Sequence, residues 1–339
     1  MKRKDVNHKS VNMQDVADTA NTSIATVSRV INNSTSVKPH VRQKVLETIK
    51  ALNYQIKFTS LRTKVIKIGL LIPDIKNPYF SILISGVTAV SNLYDAEIIL
   101  CNCDNNIENE RHHFKKLLEL GIDGIIYIPF AKEINSIVYD LIDRKFPIIF
   151  LDRKSNLKNI CFVTSNNFEG AYQAVTYLIN LGHRDIMFIS GPSHLSTSFT
   201  RLEGYRKGLA EYNIKFNPAK IIYGNTYQKT AYEEVIKFIE KKTAHFTAVF
   251  ASNDLMAFGA WQALEEKGYR IPDNISIIGY DDIPFSSFAS LTTVAQPGYE
   301  IGTNAILLLI DLIKGRIKPP KKIILRDSLI IRKSCKNIT

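Results

Sequence analysis

Five short polar clusters in this 339-residue chain each stand at the end of an apolar run. Asn77-Pro78-Tyr79-Phe80 follows the run 66–72, Asp152-Arg153 closes 147–152, and Asn253-Asp254 follows 248–252. Asp281-Asp282 follows 275–280, and Gln296-Pro297 closes 292–296. Carboxylates, amides and a guanidinium make paired hydrogen bonds to vicinal hydroxyls, and aromatic rings cover the C–H face of a sugar. Asp and Asn after strands also serve as helix caps. Each cluster alone reads as well as a cap as it does as a ligand group. The recurrence of five at the same place relative to a run points to a small hydroxylated ligand.

A different chemistry stands at the other end of the chain. In the stretch 12–32, NMQDVADTANTSIATVSRVIN, Met13, Val16, Ala17 and Ala20 recur at helical spacing behind Asn12, a good N-cap, and Asp15. Asn21-Thr22 breaks the run, and Ser23 can cap a second helix from Ile24 to Asn32. Val27, Val30 and Ile31 form its inner stripe, leaving Ile24, Ala25, Ser28, Arg29 and Asn32 outside. A short helix that presents small, hydroxyl and Arg groups is dimensioned for a DNA major groove. A third helix begins at Pro39 and points Val41, Val45, Thr48, Ile49 and Leu52 inward, with Lys38, Arg42, Lys44 and Lys50 placed for phosphates. Charge agrees. Residues 1–68 hold thirteen Lys and Arg against four acidic residues, +9 of the chain's total of +12. A cationic excess confined to one small module is the footprint of nucleic-acid binding.

The clusters need a scaffold, and the pattern supplies one. Strand-like runs at 66–72, 96–102, 124–129, 147–152, 186–191, 248–252 and 275–280 alternate with amphipathic stretches at 80–93, 109–120, 168–181, 200–212, 230–242 and 254–267. Such alternation predicts parallel sheets with helices on both faces. More than 250 residues of it predict two lobes, and ligands of open α/β sheets bind beyond the carboxyl ends of the strands.

The motifs DVADTANTSIATVSRVINN, IGLLIPDIKNPYF, LDR, LGHRDIMFISGP, RLEGYRKGL, AVFASNDLMAFGA, ISIIGYDDIP and LTTVAQPGYEIG together resemble the lactose/galactose repressor (LacI/GalR) family of bacterial transcription regulators, over about residues 11–334. The resemblance implies an all-α helix-turn-helix DNA-binding head and a two-lobed α/β body like periplasmic sugar-binding proteins. The expected organisation is a head at 1–53, a hinge at 54–66 and an effector-binding and dimerisation body at 67–334. Its N-lobe would hold about 67–163 and 297–325, and its C-lobe about 164–296 and 326–334. By position, the resemblance implies a DNA-contacting set of Asn12, Met13, Ser23, Ile24, Ala25, Thr26, Ser28, Arg29 and Asn32, with Ile24 and Ala25 as the main base readers. Leu61, accompanied by Arg62, stands as the residue that wedges into the minor groove. The implied effector set is Asn77, Tyr79, Phe80, Asp152, Arg153, Arg201, Asn253, Asp281 and Gln296. Two places depart from the pattern. Thr226 stands where ribose-binding relatives carry an aromatic ring, and the hinge is short, with Ile56 in place of proline.

The expected function is a repressor of a sugar-utilisation operon, released from a palindromic double-stranded operator when a ribose-like sugar binds between the lobes. Control by a corepressor, either a phosphosugar or a partner protein, is the alternative. A solute-binding protein is disfavoured by the basic head and by an N-terminus without an apolar core after its charges. No GxGxxG follows the first run, and neither GxxxxGK[ST] nor GxSxG occurs. The expectation is therefore no enzyme, no cofactor and no metal. A cytoplasmic homodimer without membrane contact completes it. Cys101, Cys103, Cys161 and Cys335 read as free thiols, and His112-His113 as a solvent-facing pair.

Overall fold

The computed structural model describes residues 11–31, 37–54, 65–130, 134–153, 157–241 and 244–339. The chain divides into two compact units, Met1–Lys64 and Val65–Thr339. Asn32, Leu61, Arg62 and most of the hinge lie outside the described residues.

The first unit carries α1 (Met13–Thr19), α2 (Ile24–Ile31) and α3 (Pro39–Ala51). Asn12 opens α1 through a reciprocal cap. Its Oδ1 accepts from the Gln14 and Asp15 amides at 2.8 and 3.1 Å, while Asp15 Oδ2 accepts from the Asn12 amide at 2.7 Å. Asn21 makes the turn with φ of 51°, a left-handed conformation that Asn tolerates. Ser23 Oγ then accepts from the Thr26 amide at 3.2 Å and starts α2. Val16, Ala17, Ala20, Val27, Val30, Val45 and Ile49 close a small core among the three helices.

The second unit begins with β1 (Ile66–Ile72), α4 (Pro78–Ser91), β2 (Ala96–Asn102), α5 (Ile107–Glu119), β3 (Gly124–Tyr127), α6 (Ser136–Asp143), β4 (Ile148–Leu151) and β5 (Cys161–Ser165). It continues with α7 (Asn167–Asn180), β6 (Ile186–Ser190), α8 (Ser196–Glu211), β7 (Ile221–Tyr223), α9 (Gln228–Glu240), β8 (Ala248–Ala251), α10 (Asp254–Glu266), β9 (Ser276–Asp281), α11 (Pro284–Phe288) and β10 (Thr292–Ala295). The chain ends through α12 (Gly298–Ile313), β11 (Lys322–Leu325) and β12 (Ser328–Ile330). Two six-stranded sheets result, in the orders β11-β5-β4-β3-β1-β2 and β12-β10-β9-β8-β6-β7. Pairing is parallel except for β10 with β12.

Each sheet has helices and an apolar core on both faces. This is why its central strands are buried along both sides and read as continuous apolar runs. The chain passes between the sheets three times, around Ser165–Asn167, Ala295–Gly298 and Leu325–Ser328. The long helix α12 packs on α4 at a distance that two glycines permit. A Cβ on Gly86 would lie 2.0 Å from the Tyr299 carbonyl oxygen, and one on Gly302 would lie 2.2 Å from that of Leu83.

Several elements went unnamed by the pattern: β5, β7, α6, α11, α12, β11 and β12. Helix α12 buries Ile301, Ala305, Ile306, Leu308, Leu309 and Ile310 and exposes Tyr299, Glu300 and Leu307, but its unbroken apolar stretch 305–310 reads equally well as a buried strand. The other six are short, three to eight residues, and stand among longer elements that dominate the pattern. One expectation needs correction. His113 does not face solvent with His112: it is half-buried, with Nε2 3.1 Å from the Asn102 carbonyl oxygen. All four cysteines are free thiols.

Candidate functional site

On α2 the expected division of faces is present. Val27 and Val30 are buried, Ser23, Ile24, Ala25 and Arg29 are exposed, and Thr26 and Ser28 are half-buried. Ile24 shows 43% of its surface, a large apolar side chain held out to solvent by a rigid helix. Ser23 Oγ and Thr26 Oγ1 are 2.9 Å apart, which ties the two hydroxyls at the amino end of the helix together. Asn12 is exposed at its cap, whereas Met13 packs on the head core. Lys38, Lys44 and Lys50 are exposed around α3, and Arg42 is half-buried. This surface offers cationic, hydroxyl and methyl groups on a stiff frame, the combination that meets phosphates and thymine methyls.

The nine residues expected for an effector come together in the body. Asn77, Tyr79, Phe80, Asp152, Arg153, Arg201, Asn253, Asp281 and Gln296 all line one tight cavity of about 40 Å³ between the lobes, well below the ~300–1,000 Å³ typical of small-molecule sites. Asn77 and Asn253 are both caps and cavity walls. Asn77 Oδ1 accepts from the Tyr79 amide at 3.0 Å to begin α4, and Asn253 Oδ1 accepts from the Met256 amide at 2.8 Å to begin α10. Their neighbours diverge. Asp254 turns into the C-lobe core, where it accepts from the Ile283 amide, Ser286 Oγ and Thr293 Oγ1, and burial lifts its carboxyl to about 6. Asp282 pairs with Arg332 at 2.7 Å. Neither lines the cavity.

The cavity walls are bonded to one another across the lobes. Gln296, on a crossover, is the hub: its Oε1 accepts from Tyr79 at 3.2 Å and from Ser165 at 2.9 Å, and its Nε2 donates to Asp281 Oδ1 at 2.6 Å. Tyr79 also reaches Asp152 Oδ1 at 3.2 Å. Arg201 is locked flat. It lies 3.7 Å over the Tyr280 ring, donates to Asn167 Oδ1 at 2.7 Å and to the Ser252 carbonyl, and stands 3.5 Å from Asp281. Tyr280 in turn donates to Asp327 on another crossover. Arg153 donates to the Pro129 carbonyl at 2.8 Å, lies 3.8 Å from Asp152, and faces the Phe80 ring at 6.0 Å. The backbone is strained at two of these carboxylates, with φ of 64° at Asp152 and 111° at Asp281.

Burial pushes the Asp152 carboxyl up, opposed by Arg153 and Arg201, and pushes the Asp281 carboxyl well up against the pull of Arg201. Burial lowers Arg153, with Asp152 opposing it. The same burial acts on Arg201, but Asp281 and its neighbours reverse the balance and raise it. Two acids and two guanidiniums offset one another, leaving no formal excess charge among these four. Ser165, Asn167, Tyr280 and Asp327 were not foreseen as partners. Tyr280 had a weak signal as the neighbour of Asp281 and Asn167 as the residue just before the stretch 168–181, whereas Ser165 and Asp327 sit on or beside elements the pattern did not name. Among the described residues there is no group of three or more His, Cys, Asp and Glu able to hold a metal, and no helix long and apolar enough to cross a membrane.

Two family descriptions match the chain: Bacterial regulatory proteins, lacI family, over residues 12–56, and Periplasmic binding protein-like domain, over 175–335. The HTH-type transcriptional repressor PurR of Pasteurella multocida is 35% identical over 332 residues, covering 96% of this chain and 98% of that protein. The chain belongs to the lacI family of bacterial regulatory proteins. A crystal structure of a LacI family regulator from Enterococcus faecium with bound ribose is 32% identical, with a TM-score of 0.72 over 80% of this chain and 100% of that one. The lac repressor dimer bound to operator and an anti-inducer is 25% identical, with a TM-score of 0.79 over 97% and 100%. This lacI-family chain is thus a DNA-binding transcriptional repressor, a helix-turn-helix unit joined to an effector-binding α/β body.

Proposed function

We propose that the chain represses a sugar-utilisation operon and leaves its palindromic operator when a ribose-like monosaccharide enters the cavity between the lobes. The observation that carries this reading is the cavity wall itself: nine donor, acceptor and ring groups from both lobes converge on one enclosed site. Charge balance between Asp152, Asp281, Arg153 and Arg201 favours a neutral, hydroxyl-rich ligand over an anionic one. The ribose held by the Enterococcus faecium regulator supports the ligand class.

In this reading α2 enters the major groove. Ile24 and Ala25 touch base edges, and Arg29, Ser23, Thr26 and Ser28 contact phosphates or bases. Asn12 and Met13 set the amino end of α1 against the backbone. Two copies bind two half-sites, as in the lac repressor dimer on its operator, and act in the cytoplasm without catalysis. The sugar acts only through a difference in affinity between the DNA-bound and released states. Fluorescence anisotropy on the chain's own upstream palindrome tests the proposal. Addition of D-ribose should weaken operator binding. Tight binding that ignores ribose rejects it as the effector, and binding that tightens rejects induction in favour of corepression.

A further inference from the structure

The departure at Thr226 has a structural counterpart one residue on. Asn225 and Thr226 both adopt left-handed backbone, φ of 51° and 69°, and Thr is β-branched, so this turn is strained. It ends in Tyr227, which belongs to the C-lobe but bonds to the N-lobe. The Tyr227 hydroxyl donates to Asp74 Oδ2 at 3.1 Å and accepts from Asn105 Nδ2 at 2.7 Å. Asp74 is itself fixed, because its Oδ1 accepts from the Lys76 amide at 3.0 Å. Asn105 is anchored by its own amide, which donates to the Pro73 carbonyl at 2.8 Å. The two N-lobe partners thus sit on the loops that leave β1 and β2, and Tyr227 can reach both only while the lobes are closed.

The position of this contact matters. Asp74, Asn105 and Tyr227 wall a second hollow of about 50 Å³, which shares Asn77, Phe80, Arg153 and Thr226 with the effector cavity. Tyr227 is 36% exposed, whereas Asp74 beneath it is 5% exposed. The contact therefore borders the effector cavity on a side where Tyr227 meets solvent.

We infer that Tyr227, with Asp74 and Asn105, is a clasp over the mouth of the effector cavity and a specificity determinant. It admits a single sugar ring that fits wholly beneath it and rejects a second ring. A ring at position 226 would stack on the sugar, whereas a ring at 227 holds the door. This inference rests on the reading of the cavity as a sugar site, and the experiment separates the two.

Calorimetry of the full-length protein with D-ribose and with the disaccharide cellobiose is the first arm. The wild type should bind ribose and not cellobiose. Tyr227→Phe keeps the ring and loses the hydroxyl, and it should bind ribose about five- to tenfold more weakly. Tyr227→Ala should gain cellobiose binding. Unchanged ribose affinity in Tyr227→Phe, or a wild type that takes cellobiose as readily as ribose, overturns the inference. The second arm needs no ligand. Hydrogen exchange of the amides at 74–77 and 103–105 should quicken several-fold in Tyr227→Phe, because closed lobes protect them. Asp74→Asn keeps one acceptor oxygen where two are engaged, by the Lys76 amide and by Tyr227, so it should fall between wild type and Tyr227→Phe. Asp74→Ala should match Tyr227→Phe, and the double variant should be no worse than either. Exchange unaltered by Tyr227→Phe overturns the clasp even if neither sugar binds, whereas faster exchange without sugar binding upholds the clasp and rejects only the sugar reading.

Discussion

The outward face of α2 and the cavity between the lobes present similar polar groups in opposite conditions. On α2 the hydroxyls, Ile24 and Arg29 stand on the surface of a three-helix frame whose core is seven small and mid-sized residues. In the cavity Asp152, Arg201 and Asp281 are buried and Arg153 half-buried, and each is held by at least one other cavity or crossover group. A partner of the first kind brings its own field and finds the groups in water, where each contact contributes modestly and depends on salt. A ligand of the second kind must fit into a network already bonded, in a medium where an unmatched polar group costs several times more. The head can therefore tolerate loss of one contact, and the cavity cannot.

The sharpest break of that contrast is Asp281→Ala. It leaves Arg201 buried opposite a missing carboxylate and Gln296 without an acceptor. D-ribose affinity in calorimetry should fall by roughly 100-fold, since truncating one partner of a buried charge pair costs about 2–5 kcal/mol. Operator affinity without sugar should stay near wild type. An Asp281→Ala protein that still responds normally to ribose rejects the site assignment.

Arg29→Ala is the matching change in the head. Operator affinity should drop about tenfold, with a shallower salt dependence if the contact is to phosphate or relaxed sequence preference if it is to a base. Sugar affinity should not move. A drop in sugar affinity instead would mean that the variant damages more than its own unit.

A third change uses a buried carboxylate outside the cavity. Glu110 on α5 is fully buried, with Oε2 accepting from Tyr127 at 2.9 Å. Burial pushes its carboxyl up to about 7, while the hydrogen bond from Tyr127 pulls the other way. A raised carboxyl takes up protons on folding. Its contribution to stability is complete below the unfolded value of about 4.3 and is lost as pH rises through about 7. Glu110→Gln keeps an acceptor and cannot ionise. It should leave the melting of the body unchanged at pH 4 and raise its stability at pH 8 by on the order of 2 kcal/mol. Parallel melting curves for both proteins from pH 4 to 8 would falsify the assignment of a buried, titrating Glu110.

The smallest expected effect is Asn12→Ala. Loss of a reciprocal cap costs about 1 kcal/mol of head stability, read as earlier thermal loss of helical signal in an isolated 1–64 fragment or in the full chain. Because the cap also holds the amino end of α1, operator affinity should weaken by no more than a few-fold.

Strand ends and caps were the readable part of this molecule. Ile66–Ile72 and Ala96–Asn102 carry enough consecutive apolar residues to define strands by themselves, and Asn12, Ser23, Asn77 and Asn253 announce the helices they cap. The nine cavity residues were legible because most stand directly after such strands, and Arg201 was placed by the family motif around it. Ser165 and Asn167 escaped notice because β5, Cys-Phe-Val-Thr-Ser, ends in hydroxyl residues rather than an apolar run, and Asp327 because it lies in the two-residue joint between β11 and β12. Helix α12 escaped because its apolar stretch 305–310 is continuous and does not distinguish a helix from a buried strand.

Local chemistry therefore determined which segments become helices and strands, which ends they present, and that a cationic module precedes an α/β body. Those outcomes depend on neighbours within a few residues, where backbone sterics and capping act. Only the tertiary structure decided that Gln296 would join Tyr79, Ser165 and Asp281, that Arg201 would lie on Tyr280, and that Tyr227 would reach across to Asp74 and Asn105. These partners are up to 217 residues apart in the chain. Their meeting is set by sheet order and by the crossovers between lobes, because a hydrogen bond forms only where the whole packing brings donor and acceptor within reach.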